Sequence, residues 1–203
     1  MPGEFQKKIN NYERITGMSK LARRYFVMNT FDGTLTIFGV LLGSFLAGIM
    51  NPGTIVTLGL GAGAAIFISG VWGTYLSESA ERTKARRDLE QKMLKSLERT
   101  SISEADKFAT YYVSLINGLS PLFAILVILI PFLSSSAGFL DMGLAYYFSF
   151  LIWLLIFVFL GVFLGRLSKE NIAISAMKTF MVWVVCAITI YLISAITGSA
   201  PGA

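Results

Sequence analysis

Apolar residues recur in runs of about twenty or more along the 203-residue chain, long enough to cross a hydrocarbon core of roughly 30 Å. Five such runs are predicted to be membrane-spanning helices: about 25–50, 54–76, 109–133, 140–165 and 172–197. Asn51–Gly53 ("NPG") makes a tight turn between the first two. Residues 1–24 form a polar, basic arm with no apolar core, so the first span itself acts as the insertion signal. Residues 199–203 form a short tail. The predicted class is an all-α, polytopic membrane protein whose single membrane domain, 25–198, uses nearly the whole chain.

Charge orients these spans. Every Lys and Arg falls in the N-terminal arm, in 77–107 or in 166–178, whereas "NPG", Ser134–Asp141 and Gly198–Ala203 carry none. The positive-inside rule puts the N-terminus in the cytoplasm and the C-terminus outside, which an odd number of spans requires. Connection 77–107 lacks Gly and Pro over its core and balances eight basic against seven acidic residues. It reads as a helix extending the second span into the cytoplasm or lying on the membrane surface. Leu89, Met93 and Leu97 give it an apolar stripe, and Ser101 with Glu104 has capping-box spacing for the next helix.

Composition narrows the chemistry. Mean hydropathy is +0.67 and 55% of residues are hydrophobic, above the roughly 45–50% of soluble domains. There is no histidine, which removes the commonest transition-metal ligand and proton shuttle, and the single cysteine, Cys186, excludes an intrachain disulfide. With no convincing nucleophile–base pair an enzyme is not expected. The net charge of +5 is accounted for by basic residues facing anionic lipid, so no nucleic-acid partner is expected. No permanently bound cofactor is expected.

One acid then stands out. Asp32 lies about seven residues into the first span, roughly 10 Å along a helix. A carboxylate at a helix centre costs about 2.5–3.5 kcal/mol on insertion. Asn29, Asp32 and Thr36 fall on one helical face. Two readings compete: Asp32 caps a helix beginning at Gly33, or it lines a cation path. Asn117, near Gly118 and Pro121 in the third span, is a weaker candidate beside such a path. Glu78 and Glu81, just past the second span, would recruit cations. Asp141 reads as the cap of the fourth span. Gly39/Gly43, Gly59/Gly63 and Gly161/Gly165 have the spacing that lets helix backbones approach closely in lipid.

These residues resemble a known family. "FDGTLTIFGVLLG" (Phe31–Gly43), "SGVWGTYLSESAER" (Ser69–Arg82) and "SLINGLSPLFAILVILIPFL" (Ser114–Leu133) resemble the first three spans of the vacuolar iron transporter (VIT) family, in a short prokaryotic-type form without the large cytoplasmic metal-binding domain. The resemblance implies a homodimeric carrier moving Fe²⁺, and often Mn²⁺, out of the cytoplasm in exchange for protons, with Asp32 facing the path. Fe²⁺ or Mn²⁺ is then the transported ion, and the membrane is expected to be a prokaryotic cell membrane. The resemblance also places a Glu and a Met of the family's second span at Ala62 and Gly70, so this chain lacks both. That departure keeps open a non-transporting assembly or regulatory module on the same scaffold.

Overall fold

The structure, a computed structural model, describes residues 3–98, 100–168 and 172–198. The expected tail 199–203 lies outside the described residues, as do Lys169 and Glu170 of the last connection. The described chain is helical: α1 (Glu4–Thr16), α2 (Met18–Leu46), α3 (Pro52–Met93), α4 (Ser101–Ser136), α5 (Met142–Ser168) and α6 (Ile172–Ile196). Helices α2 to α5 each carry a segment long and apolar enough to cross a membrane. In α6 the described apolar stretch, Phe180–Ile196, is shorter.

Helix ends follow local chemistry. Gly17 adopts φ +59 and closes α1, and the Glu13 carboxylate accepts hydrogen bonds from the Ser19 amide (2.9 Å) and hydroxyl (2.8 Å) at the start of α2. Gly48, at φ +66, stops α2, with the Ile49 amide donating to the Ser44 carbonyl at 3.0 Å. The span expected to reach residue 50 therefore ends its helix at Leu46. Helix α3 starts at Pro52, where a missing N–H costs nothing, and Asn51 Oδ1 accepts the Thr54 amide at 3.2 Å. Asp141 caps α5 as expected, its carboxylate accepting the Gly143 amide at 3.0 Å.

Two expectations about the long connection change. Helix α3 does continue well beyond its apolar run, to Met93, but the 89–93–97 stripe is broken. Leu94 turns to φ +52 and is 93% exposed, and Leu97 is buried beyond that turn. The capping box does not form either. Ser101 is already the first residue of α4, and Glu104 instead accepts the Tyr12 hydroxyl at 2.9 Å and pairs with Lys8 at 3.2 Å.

The chain divides into two compact units. The first comprises Met1–Met28 and Phe67–Ser120; its apolar centre is Tyr12, Met18, Ala22, Ala105, Ala109 and Val113. Here α4 meets α3 at glycine: a Cβ on Gly70 would lie 3.1 Å from Gly118 Cα, and one on Gly118 would lie 2.7 Å from the Phe67 carbonyl.

The second unit comprises Asn29–Ile66 and Pro121–Ala203. Its centre is aliphatic and aromatic, with Ile37, Leu41, Ile55, Ile128, Leu129 and Phe132 fully buried. Phe38 stacks on Trp153 with ring centroids 4.3 Å apart, and Phe31 on Phe157 at 5.4 Å. Gly33 permits the tightest approach within this unit: its Cβ would sit 2.6 Å from Pro121 Cα.

Candidate functional site

The candidate residues fall three to each unit. Asn29, Asp32 and Thr36 belong to the second, and Glu78, Glu81 and Asn117 to the first.

In the second unit Asp32 occupies the centre of the 29-residue α2. The helix is already established two turns before it reaches Tyr25, so the capping reading fails: Asp32 is an interior helical residue, not the start of a helix at Gly33. Its side chain is exposed, and no described basic residue forms an ion pair with it. Thr36 is half-buried and donates its hydroxyl to the Asp32 carbonyl at 2.8 Å, one turn back. Asn29 is half-buried on the same face. Continuing at helical spacing from Asp32, that face passes through Thr36, Gly39 and Gly43. A Cβ on Gly39 would make only ordinary contact with Ile190 at 3.8 Å, and one on Gly43 would meet nothing within 4 Å. The opposite flank is packed. Thr34 is fully buried, its carbonyl accepting the Trp153 indole N–H at 3.0 Å.

In the first unit the polar groups are largely engaged with one another. Asn117 is buried; its amide nitrogen donates to the Gly70 carbonyl at 3.0 Å and to the Thr74 hydroxyl, clamping α4 to α3. Glu78 turns inward. Its side chain is 13% exposed, pairs with Arg82 at 3.3 Å and accepts the Tyr25 hydroxyl at 3.2 Å. Glu81, three residues on, is exposed. Arg82 also reaches Asp106 on α4 at 3.5 Å, making a Glu78–Arg82–Asp106 triad of low exposure. The triad was missed in the sequence, although Glu78 and Arg82 stand at the i,i+4 spacing of helical ion pairs.

Among the described residues no three Asp, Glu or Cys side chains gather closely enough to hold a metal ion within one chain. Among the described residues, α2 carries a carboxylate without an ion pair in the interior of an apolar helix and a small-residue helix face beside it.

A sequence profile of the VIT family matches residues 23–121. An uncharacterized protein of Methanocaldococcus jannaschii is 32% identical over 158 residues, covering 76% of this chain and 79% of that protein. No solved structure matches.

Proposed function

The chain belongs to the VIT family, and on that premise we propose that it is a divalent-cation carrier of a cell membrane, moving Fe²⁺ or Mn²⁺ out of the cytoplasm in exchange for protons. The observation that carries this reading is Asp32: a carboxylate in the middle of a membrane helix, exposed at the surface of its own chain. In hydrocarbon such a group needs a partner or water. A second copy related by a twofold axis would bring two Asp32 carboxylates together, matching the charge of one divalent cation. The Thr36–Gly39–Gly43 face supports such a pairing, because small side chains let two α2 backbones draw close. Asn29 and Thr36 would supply neutral oxygens beside the ion. Asn117 has its amide nitrogen occupied, so any contribution to the path would come through oxygen. Glu81, exposed beyond the apolar run of α3, is better disposed than Glu78 to attract cations.

The test is flux into proteoliposomes. Wild-type protein should carry Fe²⁺ or Mn²⁺ against protein-free controls, and Asp32→Ala should reduce the rate at least tenfold with the melting temperature nearly unchanged. Undiminished flux in Asp32→Ala would remove the mechanism.

One observation favours the second reading, a non-transporting assembly or regulatory module. At Gly70, where the resemblance places a thioether ligand, the chain closes onto Gly118 and leaves no space for a longer side chain. That reading predicts no flux above protein-free vesicles and co-purification of a partner through the α3 extension.

A further inference from the structure

We propose that the first unit holds a binding site for a phosphate group, carried by an anionic phospholipid headgroup, between the polar half of α3 and the start of α4. A cavity of about 280 Å³ opens there. Three of its lining side chains are cationic, Arg82, Arg86 and Lys107, against one carboxylate, Asp106. Asp106 is paired with Arg82 at 3.5 Å, and Glu78 pairs with the same guanidinium at 3.3 Å, so the uncompensated positive charge of the cavity comes from Arg86 and Lys107. Arg86 is different. Its guanidinium donates to the neutral Ser103 hydroxyl at 3.0 Å and, among the described residues, forms no ion pair. The Nε atoms of both Arg82 and Arg86 are buried with no hydrogen-bond partner. A buried guanidinium N–H left unpaired is costly, and the fork geometry of arginine is matched by phosphate oxygens. Lys107 is exposed and can add a point charge from the rim.

The position favours a lipid over a soluble ion. The apolar run of α3 ends at Leu76 and that of α4 begins at Ala109, so the cavity begins where the apolar surface stops. Tyr75 and Tyr111 line its apolar end, with ring centroids 5.4 Å apart, and tyrosines prefer the headgroup level. Basic pockets between membrane helices at that level take anionic headgroups.

Thermal unfolding of delipidated protein in neutral detergent tests this, with dioctanoyl phosphatidylglycerol, dioctanoyl phosphatidylcholine and inorganic phosphate titrated separately. Phosphatidylglycerol should raise the melting temperature saturably. Its apparent affinity should fall at least tenfold in Arg86→Gln and severalfold in Lys107→Gln, and hold in Lys84→Gln. Phosphatidylcholine should bind far more weakly. Inorganic phosphate binding as tightly, with the same dependence on Arg86 and Lys107, would uphold the phosphate site and assign it to a soluble ion. Equal response to the two lipids, or an affinity for phosphatidylglycerol within twofold of wild type in the variants, would overturn the proposal. Should Arg86→Gln fail to fold, Lys107→Gln carries the test, since its side chain is exposed.

Discussion

The two units solve the same problem, helix against helix, with different chemistry. The first is cross-linked largely by side chains that hydrogen-bond or pair with other side chains: Tyr12 and Lys8 with Glu104, Tyr25 with Glu78, Arg82 with Asp106, Arg86 with Ser103 and Asn117 with Thr74, beside the Asn117 amide on the Gly70 carbonyl. The second has no ion pair among its described residues. Three of its inter-helix hydrogen bonds run from a side chain to a main-chain carbonyl: Trp153 to Thr34, Tyr146 to Ile49, Ser149 to Ile128. The difference follows the solvent. Near water a charged pair loses little by forming and specifies which residues face each other. In an apolar setting a charge is expensive, whereas a single indole or hydroxyl donor satisfied by a carbonyl is tolerable. Asp32, a carboxylate in the interior of α2, departs from that pattern, and the proposed transport role rests on it.

Substitutions in each unit test this division of chemistry. The largest effect is expected where the apolar unit depends on shape alone. Gly33→Val would drive side-chain atoms into the Pro121 backbone and should destabilise by about 3 kcal/mol, the upper range for overpacking; an unchanged melting temperature would show that the close approach is dispensable. A smaller loss is expected from Asp106→Asn in the polar unit. It leaves Arg82 with Glu78 alone at low exposure and should cost about 2 kcal/mol, discounted from the 3–5 kcal/mol of a fully buried broken pair because the group is partly wet. If Asp106→Asn proves neutral, the triad is ornamental to stability and apolar packing holds both units.

The smallest effect concerns Lys8. The Tyr12 hydroxyl, and then the Glu104 carboxylate, hold its ammonium above the ordinary lysine value of 10.5. A raised folded-state pKa stabilises below the unfolded value and loses that contribution as pH rises through the folded one. Lys8 is fully exposed, so wild type and Lys8→Met should melt alike within error at pH 7 and at pH 11. A clear divergence confined to the lower pH would make this surface pair more than a marker of register.

Much of the fold was legible because hydropathy and helix punctuation are local. Of the five apolar runs, four gave helices long and apolar enough to cross a membrane, and Asp141 gave a cap. Hydropathy reports where a chain meets lipid, not where its helix begins, so Lys20, Arg23 and Arg24 concealed the first two turns of α2 and with them the interior position of Asp32. Periodicity likewise could not foresee the left-handed turn at Leu94, a conformation that sequence rarely betrays in a non-glycine residue. At the candidate site, Asn29, Asp32 and Thr36 were legible as one face because helical geometry alone sets their spacing. Which of Glu78 and Glu81 turned inward was not, since that depends on Tyr25, far away in sequence.

From Thr74 to Met93 helix α3 contains neither glycine nor proline, and the whole stretch Phe67–Met93 is unbroken, about 40 Å long. It therefore acts as a pointer. A tilt of about 10° at its apolar end would swing Met93 through about 7 Å, so a rearrangement too slight to resolve inside lipid becomes readable by a probe attached in water.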